Sequence, residues 1–284
     1  MSLCFFASDL HGRVDRYRKL VEAIRHRRPA AVFLGGDLLP FPVPVAGEQF
    51  ADFLREFLHP AFADLRDRLG DAYPDMFVIL GNDDPRAEEV TVLAGEADGL
   101  WRYVHQREET LGEYAVYGYA CVPPTPFQLK DWEQYDVSRY VPPGCTSPEE
   151  GWRSIPVPAH EVRHGTIARD LAVLTGDRPM DRAILLFHTP PHETALDRAA
   201  LDGKRIDHVP LDVHVGSIAV RRFVESRQPW ITLHGHVHES VRLTGQWHEQ
   251  LGRTHLFGAA HDGPELALVE FDPRDPGAAR RSLL

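Results

Sequence analysis

The chain has 284 residues, a net charge of −11 and 43% hydrophobic residues, enough apolar material for one large α/β domain or two small ones. That acidic balance argues against nucleic acid or an anionic membrane as partner, because both require a broad basic face. Three scattered cysteines, Cys4, Cys121 and Cys145, exclude a disulfide framework and point to a reducing compartment; with no signal-peptide pattern and no apolar run of about 18 residues, the expected location is the cytoplasm.

The first apolar run, residues 3–7, predicts a buried strand ending on Ser8-Asp9-Leu10-His11-Gly12. On extended backbone Asp9 and His11, two positions apart, project to the same side and can reach one ion. Val14, Tyr17, Leu20, Val21 and Ile24 then fall at helical spacing, which makes residues 13–28 an amphipathic helix with a solvated arginine-rich side. A second strand at 31–35 ends in Gly35-Gly36-Asp37, and a helix at 48–69 is expected to kink or split at Pro60. A third strand at 76–80 ends in Gly81-Asn82-Asp83-Asp84. Residues 123–158 hold eight prolines together with Phe127, Trp132, Tyr135, Tyr140 and Trp152, the pattern of a lid or of a surface excursion with its own small aromatic core. Next come a helix at 160–175, a strand at 183–187 ending in His188, a helix at 217–227 and a strand at 230–234 running into Gly235-His236-Val237-His238. Three late runs, 241–244, 254–257 and 266–271, read as an antiparallel meander, and the residues after Pro273 as a frayed tail. The whole is a single domain over 1–272, with an insertion at about 123–158 and a tail at 273–284. Its alternation of strand and helix predicts a central sheet covered by helices.

The polar residues that end these strands all lie at the edge where open α/β sheets bind ligands. Singly, each has a plainer role: D-x-H as a helix cap, Asn82 as a turn residue, His188 as a core histidine. The "HGHVH" stretch is harder to explain by packing, although His234 at its start is read as structural. Together the set offers Asp, His, Asp, Asn and three more His, an oxygen and nitrogen mix suited to Mn, Fe or Zn. Seven donors exceed one tetrahedral ion. They suit two divalent ions about 3.5–4 Å apart sharing a carboxylate, an arrangement that holds attacking and leaving oxygens during displacement at phosphorus.

The ordered series D-x-H, G-D, G-N-x-D, lone His and G-H-x-H resembles the calcineurin-like metallophosphoesterase superfamily over residues 3 to about 260. "HTPPHETALD", "GSIAVRRFVESRQPW" and "YGYACVPPTPFQLKDWEQYD" further resemble a bacterial and archaeal branch of small phosphoesterases. The resemblance implies an α/β fold, a four-layer αββα sandwich with two mixed β-sheets flanked by helices. It also implies that Asp9, His11 and His238 hold one metal, that Asn82, His188 and His236 hold the other, and that Asp37 bridges them. The expected reaction is hydrolysis of a small phosphodiester, with a hydroxide shared by the two ions as nucleophile; Asp37, Asn82 and Asp83 are the catalytic candidates, and Asn82, Arg86 and His192 the substrate contacts. Asp83 departs from the family, which often has a histidine there to assist the leaving oxygen, and this favours diesters over monoesters. The "FGAAHDG" stretch at 257–263 replaces a turn often seen in the family. Other readings are a non-catalytic metal-binding or scaffold module, a phosphomonoesterase and a nuclease; a homodimer is compatible with the sequence.

Overall fold

The computed structural model describes residues 2–40 and 50–284. In chain order β1 (Cys4–Ala7), α1 (Val14–Arg27) and β2 (Ala31–Gly35) lead to a π-helical turn (Leu54–Leu58) that runs directly into α2 (His59–Leu69). There follow β3 (Asp75–Ile79), α3 (Glu89–Ala97), β4 (Arg102–Tyr103), β5 (Glu108–Leu111), β6 (Tyr114–Tyr119), α4 (Ala159–His164), α5 (Ile167–Thr175) and β7 (Ala183–Phe187). A small hairpin of β8 (Arg205–Ile206) and β9 (Val209–Pro210) precedes α6 (Ile218–Arg227), β10 (Ile231–His234) and α7 (Ser240–Thr244). The chain closes with β11 (His248–Leu251), β12 (Thr254–Gly258), β13 (Ala267–Phe271) and β14 (Arg280–Leu283).

Two mixed six-stranded sheets result, in the orders β14-β13-β1-β2-β3-β4 and β11-β12-β10-β7-β6-β5. Strands β1 to β4 pair in parallel, as do β6, β7, β10 and β12. The central strands are buried from end to end, as parallel strands covered on both faces must be. Between the sheets Phe271 meets Phe257 with ring centres 5.5 Å apart, and on the first sheet Phe33 stacks on Phe77 at 5.1 Å. Because β1, β2, β3, β7 and β10 are parallel within their sheets, each sheet delivers its polar strand ends to one edge. No helix among the described residues is long and apolar enough to cross a membrane.

Several local expectations change. Residues 48 and 49 of the 48–69 helix lie outside the described residues, and Pro60 marks a change of helix type instead of a break. Its position one residue into α2 follows the wider π-helical turn, where its missing N–H costs least. The 160–175 helix is two helices. Gly165 and Thr166 part them, and the Thr166 side chain accepts a hydrogen bond from the Arg169 N–H at 3.2 Å to start α5. There is no late meander: residues 241–244 fall in α7, β12 joins the second sheet, and β13 crosses to the first. The frayed tail is also corrected, since β14 pairs antiparallel with β13 from Ala267↔Leu283 to Glu270↔Arg280 and forms an edge strand. Alternation across a few polar residues does not show which sheet a short strand will join.

The segment 123–158 is tied down at several points. Trp132 is buried and donates its indole N–H to the Asp84 carbonyl at 2.8 Å. Isolated bridges join Val122 to Glu133, Leu129 to Trp152 and Tyr135 to Thr166. Asp136 accepts from Ser217 Oγ (2.5 Å) and from the N–H groups of Ile218 (2.7 Å) and Ala219 (3.1 Å), fastening the segment to the start of α6.

Candidate metal centre

The strand ends do not continue as extended chain. Asp9, His11, Asp37 and His236 all take left-handed backbone, with φ of 57°, 48°, 51° and 72°. The pleat argument for Asp9 and His11 is therefore wrong; a turn, not a strand, brings them together. Short polar residues tolerate this region when their surroundings fix it, and here the turn after β1 zips onto the turn after β2. The Asp9 N–H donates to the Gly36 carbonyl (3.0 Å), the His11 N–H to that of Asp37 (2.8 Å), and the Gly12 N–H to that of Leu38 (2.8 Å). At Gly81 any Cβ would strike the Asp37 side chain and backbone and the His188 ring, so the third strand end can approach only without a side chain.

Two groups of potential ligands result, and they share Asp37. Ligand atoms of Asp9, His11, Asp37 and His238 all lie within 4.8 Å of one another, as do those of Asp37, His188 and His236. In the first group His11 Nε2 is 3.1 Å from His238 Nε2, which is 3.2 Å from Asp9 Oδ1. In the second, His188 Nε2 is 3.2 Å from Asp37 Oδ2 and 3.0 Å from Asn82 Oδ1. The His188 Nδ1–H donates to the Gly35 carbonyl at 2.8 Å, which turns Nε2 toward the two oxygens. Asn82 is oriented likewise, its Nδ2 donating to Asp83 Oδ1 at 3.0 Å. All seven residues named from the sequence thus meet at one edge.

The electrostatics favour positive charge here. Burial alone would raise Asp9 and Asp37, yet the hydrogen bond and charge of His238 hold Asp9 well below the ordinary carboxylate range, and His188 brings Asp37 to about 2. Against the pull of burial, Asp37 lifts His188 to about 10 and Asp9 lifts His238 to about 9. Burial keeps His236 neutral, lowered to about 3, and lowers His11 as well. Oxygen and imidazole donors converge in a buried cleft with two fixed carboxylates, and this donor set fits divalent cations of the Mn, Fe or Zn type.

Asp84, part of the motif but given no role from the sequence, organises the site from beneath. Fully buried, it accepts from the N–H groups of Leu38 (3.1 Å), Leu39 (2.8 Å) and Gly81 (2.9 Å), joining the turns after β2 and β3. It is the closing acid of the G-N-x-D motif, and the sequence alone assigns it no separate role. Replacing Asp84 with alanine leaves three buried donors without a partner and is expected to destabilise the fold by roughly 2–4 kcal/mol. Urea denaturation checks this; a loss below about 1 kcal/mol would show that other groups satisfy those donors. Arg16 acts similarly, its buried guanidinium donating to the carbonyls of Asp9 (2.6 Å) and Gly263 (2.5 Å).

The remaining sequence candidates sit as follows. Asp83 faces His11 at 3.9 Å, donates its N–H to Asp37 Oδ1 at 2.9 Å, and is pushed up to about 8 by burial and by the charges of Asp37 and Asp84. Arg86 directs its guanidinium to Glu89 (3.3 Å) and over the Trp132 ring (5.2 Å). His192 lies 3.3 Å from Asp212. His234 is buried between the Thr189 carbonyl (2.9 Å) and Thr232 Oγ1 (2.8 Å), stacked on Phe187, which agrees with a structural role.

A family model described as calcineurin-like phosphoesterase matches residues 4–240. No curated protein sequence matches the chain. Among solved structures, TT1561 of Thermus thermophilus is similar with a TM-score of 0.56 at 18% identity, covering 99% of this chain and 98% of that one. The phosphopantetheinyl hydrolase PptH from Mycobacterium tuberculosis is similar with a TM-score of 0.52 at 14% identity, covering 91% and 89%. A dimetal phosphatase from Danio rerio is similar with a TM-score of 0.51 at 12% identity, covering 94% and 91%. At these identities the likeness is one of fold.

Proposed function

The chain belongs to the calcineurin-like phosphoesterase family, and from that premise we propose that it hydrolyses a small phosphodiester at a two-cation centre in the cytoplasm, with manganese as a competent metal. In this reading Asp9, His11 and His238 hold one cation, Asn82, His188 and His236 the second, and Asp37 both. The observation that carries it is the pair of potential ligand groups that, among the described residues, share Asp37. The Danio rerio neighbour, a dimetal phosphatase, supports two cations on this fold, and the Mycobacterium neighbour, a phosphopantetheinyl hydrolase, supports hydrolysis on it.

Bound divalent cations would supply Lewis acidity, neutralising charge on phosphoryl oxygens and lowering the pKa of water. The chain's own residues set the geometry. Asp37 fixes the spacing of the two ligand groups, and His188 is aimed by its bond to Gly35. In this reading Asn82, Arg86 and His192 would meet substrate oxygens, and the 123–158 segment would bound the site as a lid over a single catalytic domain. Asp83 stands where the family often has an imidazole to assist the leaving oxygen; cations held at the neighbouring Asp37 would favour its ionised form, which cannot protonate a poor leaving group, so esters with good leaving groups are preferred.

Purified protein supplied with Mn²⁺ is expected to cleave bis-p-nitrophenyl phosphate. Two tightly held ions with no hydrolysis under Mn, Fe, Zn, Co or Ni would instead identify a metal-binding module. Replacing Asp83 with histidine is expected to raise monoesterase relative to diesterase activity by about tenfold or more. An unchanged ratio would show that this position does not tune leaving-group chemistry.

A further inference from the structure

We propose that a cavity within residues 148–163 receives a second anionic group of the substrate, with the Arg153 guanidinium as its contact. This inference rests on the phosphoesterase reading above and adds the substrate class: an organic phosphoester bearing another phosphate or carboxylate.

The cavity has a volume of about 610 Å³, and its wall includes Arg153, Arg163 and Glu149 with apolar Ile155, Pro156 and Val162. That is room for a nucleoside-sized body beside an anion. Glu149 is already engaged, its oxygens taken by Arg139 (2.6 Å), Arg163 (3.0 Å) and the Tyr135 hydroxyl (2.7 Å). Arg153 is not. Its one hydrogen bond runs to the Pro148 carbonyl at 3.2 Å, and no carboxylate lies within 4.0 Å of it among the described residues. A guanidinium carries five donors in a planar fork, and burying one beside an apolar wall with most donors unused is costly unless an anion arrives. Arg153 is half-buried, and burial lowers its pKa, so this cost is felt. The lining itself carries two arginines against one glutamate, and Asp131, the other carboxylate acting most strongly on Arg153, is held by Ser154 and the Arg86 N–H.

The cavity is also fastened to the candidate metal centre. Ser154 in its wall accepts from the Ala87 N–H at 2.8 Å and donates to Asp131 at 2.5 Å, and Asp131 accepts from the Arg86 N–H at 2.8 Å. Arg86 follows Asn82 by four residues, so their Cα atoms are at most about 14 Å apart even with the chain fully extended. In this proposal a phosphoester held at the Asp/His edge lays its far end along this turn and into the cavity.

The test compares thymidine 5′-(p-nitrophenyl phosphate) with and without a 3′-phosphate, using metal-loaded protein. The 3′-phosphate is expected to lower KM by about tenfold, the scale of one charge-assisted contact. The advantage should vanish in R153Q and persist in R222Q, an exposed arginine on α6. No advantage in the native protein, or an equal one in R153Q, would overturn the proposal. Should neither ester be cleaved, the phosphoesterase reading fails, and calorimetry decides the cavity separately. Thymidine 3′,5′-bisphosphate should then bind about tenfold more tightly than the 5′-monophosphate in native protein only; equal affinities would refute the site.

Discussion

Replacing Asp37 with asparagine is expected to lower kcat at least about 1000-fold, equivalent to about 4 kcal/mol of barrier, while the protein stays folded. The substitution is nearly isosteric, so packing around the buried side chain is preserved. What changes is charge. Asp37 is common to both potential ligand groups, and its carboxylate is what raises His188. An amide offers a single weaker oxygen and cannot serve two cations. Metal analysis should accordingly find both sites depleted in D37N, whereas His236→Asn should deplete only one. D37N retaining two ions and native turnover would contradict a shared role for Asp37.

Removing Lys130 is expected to destabilise the fold by about 3–5 kcal/mol, far more than an exposed lysine would. Its ammonium lies 2.6 Å from Glu133, both side chains fully excluded from solvent, and 3.0 Å from the Thr125 carbonyl. In K130M the Glu133 carboxylate would stay buried without its cation. Burial already raises Glu133 to about 7 despite Lys130. Because the folded protein keeps this proton where the unfolded chain has lost it, its contribution to stability falls as pH rises between about 4.5 and 7. Without Lys130 the Glu133 carboxyl rises further, so the K130M defect should be small at pH 5, where Glu133 is neutral in both proteins, and larger at pH 8. Urea denaturation at both pH values checks this, and K130M/E133Q, which removes the charge but keeps an oxygen for the Thr125 N–H and hydroxyl, should recover most of the loss. A defect independent of pH would mean that the lost contact is packing and not charge.

The parts legible in the sequence were those with strong local signatures. Five runs of buried β-branched and aromatic residues marked the central parallel strands to within a residue or two, because such strands are covered on both faces. Their polar ends followed, since a chain leaving a parallel strand must turn at the ligand-binding edge. The strands β5 and β6 gave no comparable signal: "EETL" is half-exposed, and "YAVYGY" is interrupted by Gly118. "RRSL" carries almost no strand pattern, and β14 forms only because β13 offers it an unpaired edge. In the site, the residues that gather were readable and the backbone that gathers them was not. Asp9 and His11 converge through left-handed turns closed by Gly36, Asp37 and Leu38, partners lying some 27 positions away. The support from Asp84 and Arg16 depends on the same long-range closure.

The most direct test of the central claim is anomalous diffraction from a crystal of the protein soaked in Mn²⁺. Two peaks roughly 3.5–4 Å apart are expected, with Asp37 between them, Asp9, His11 and His238 around one, and Asn82, His188 and His236 around the other. A single peak, or two peaks not linked by Asp37, would contradict it.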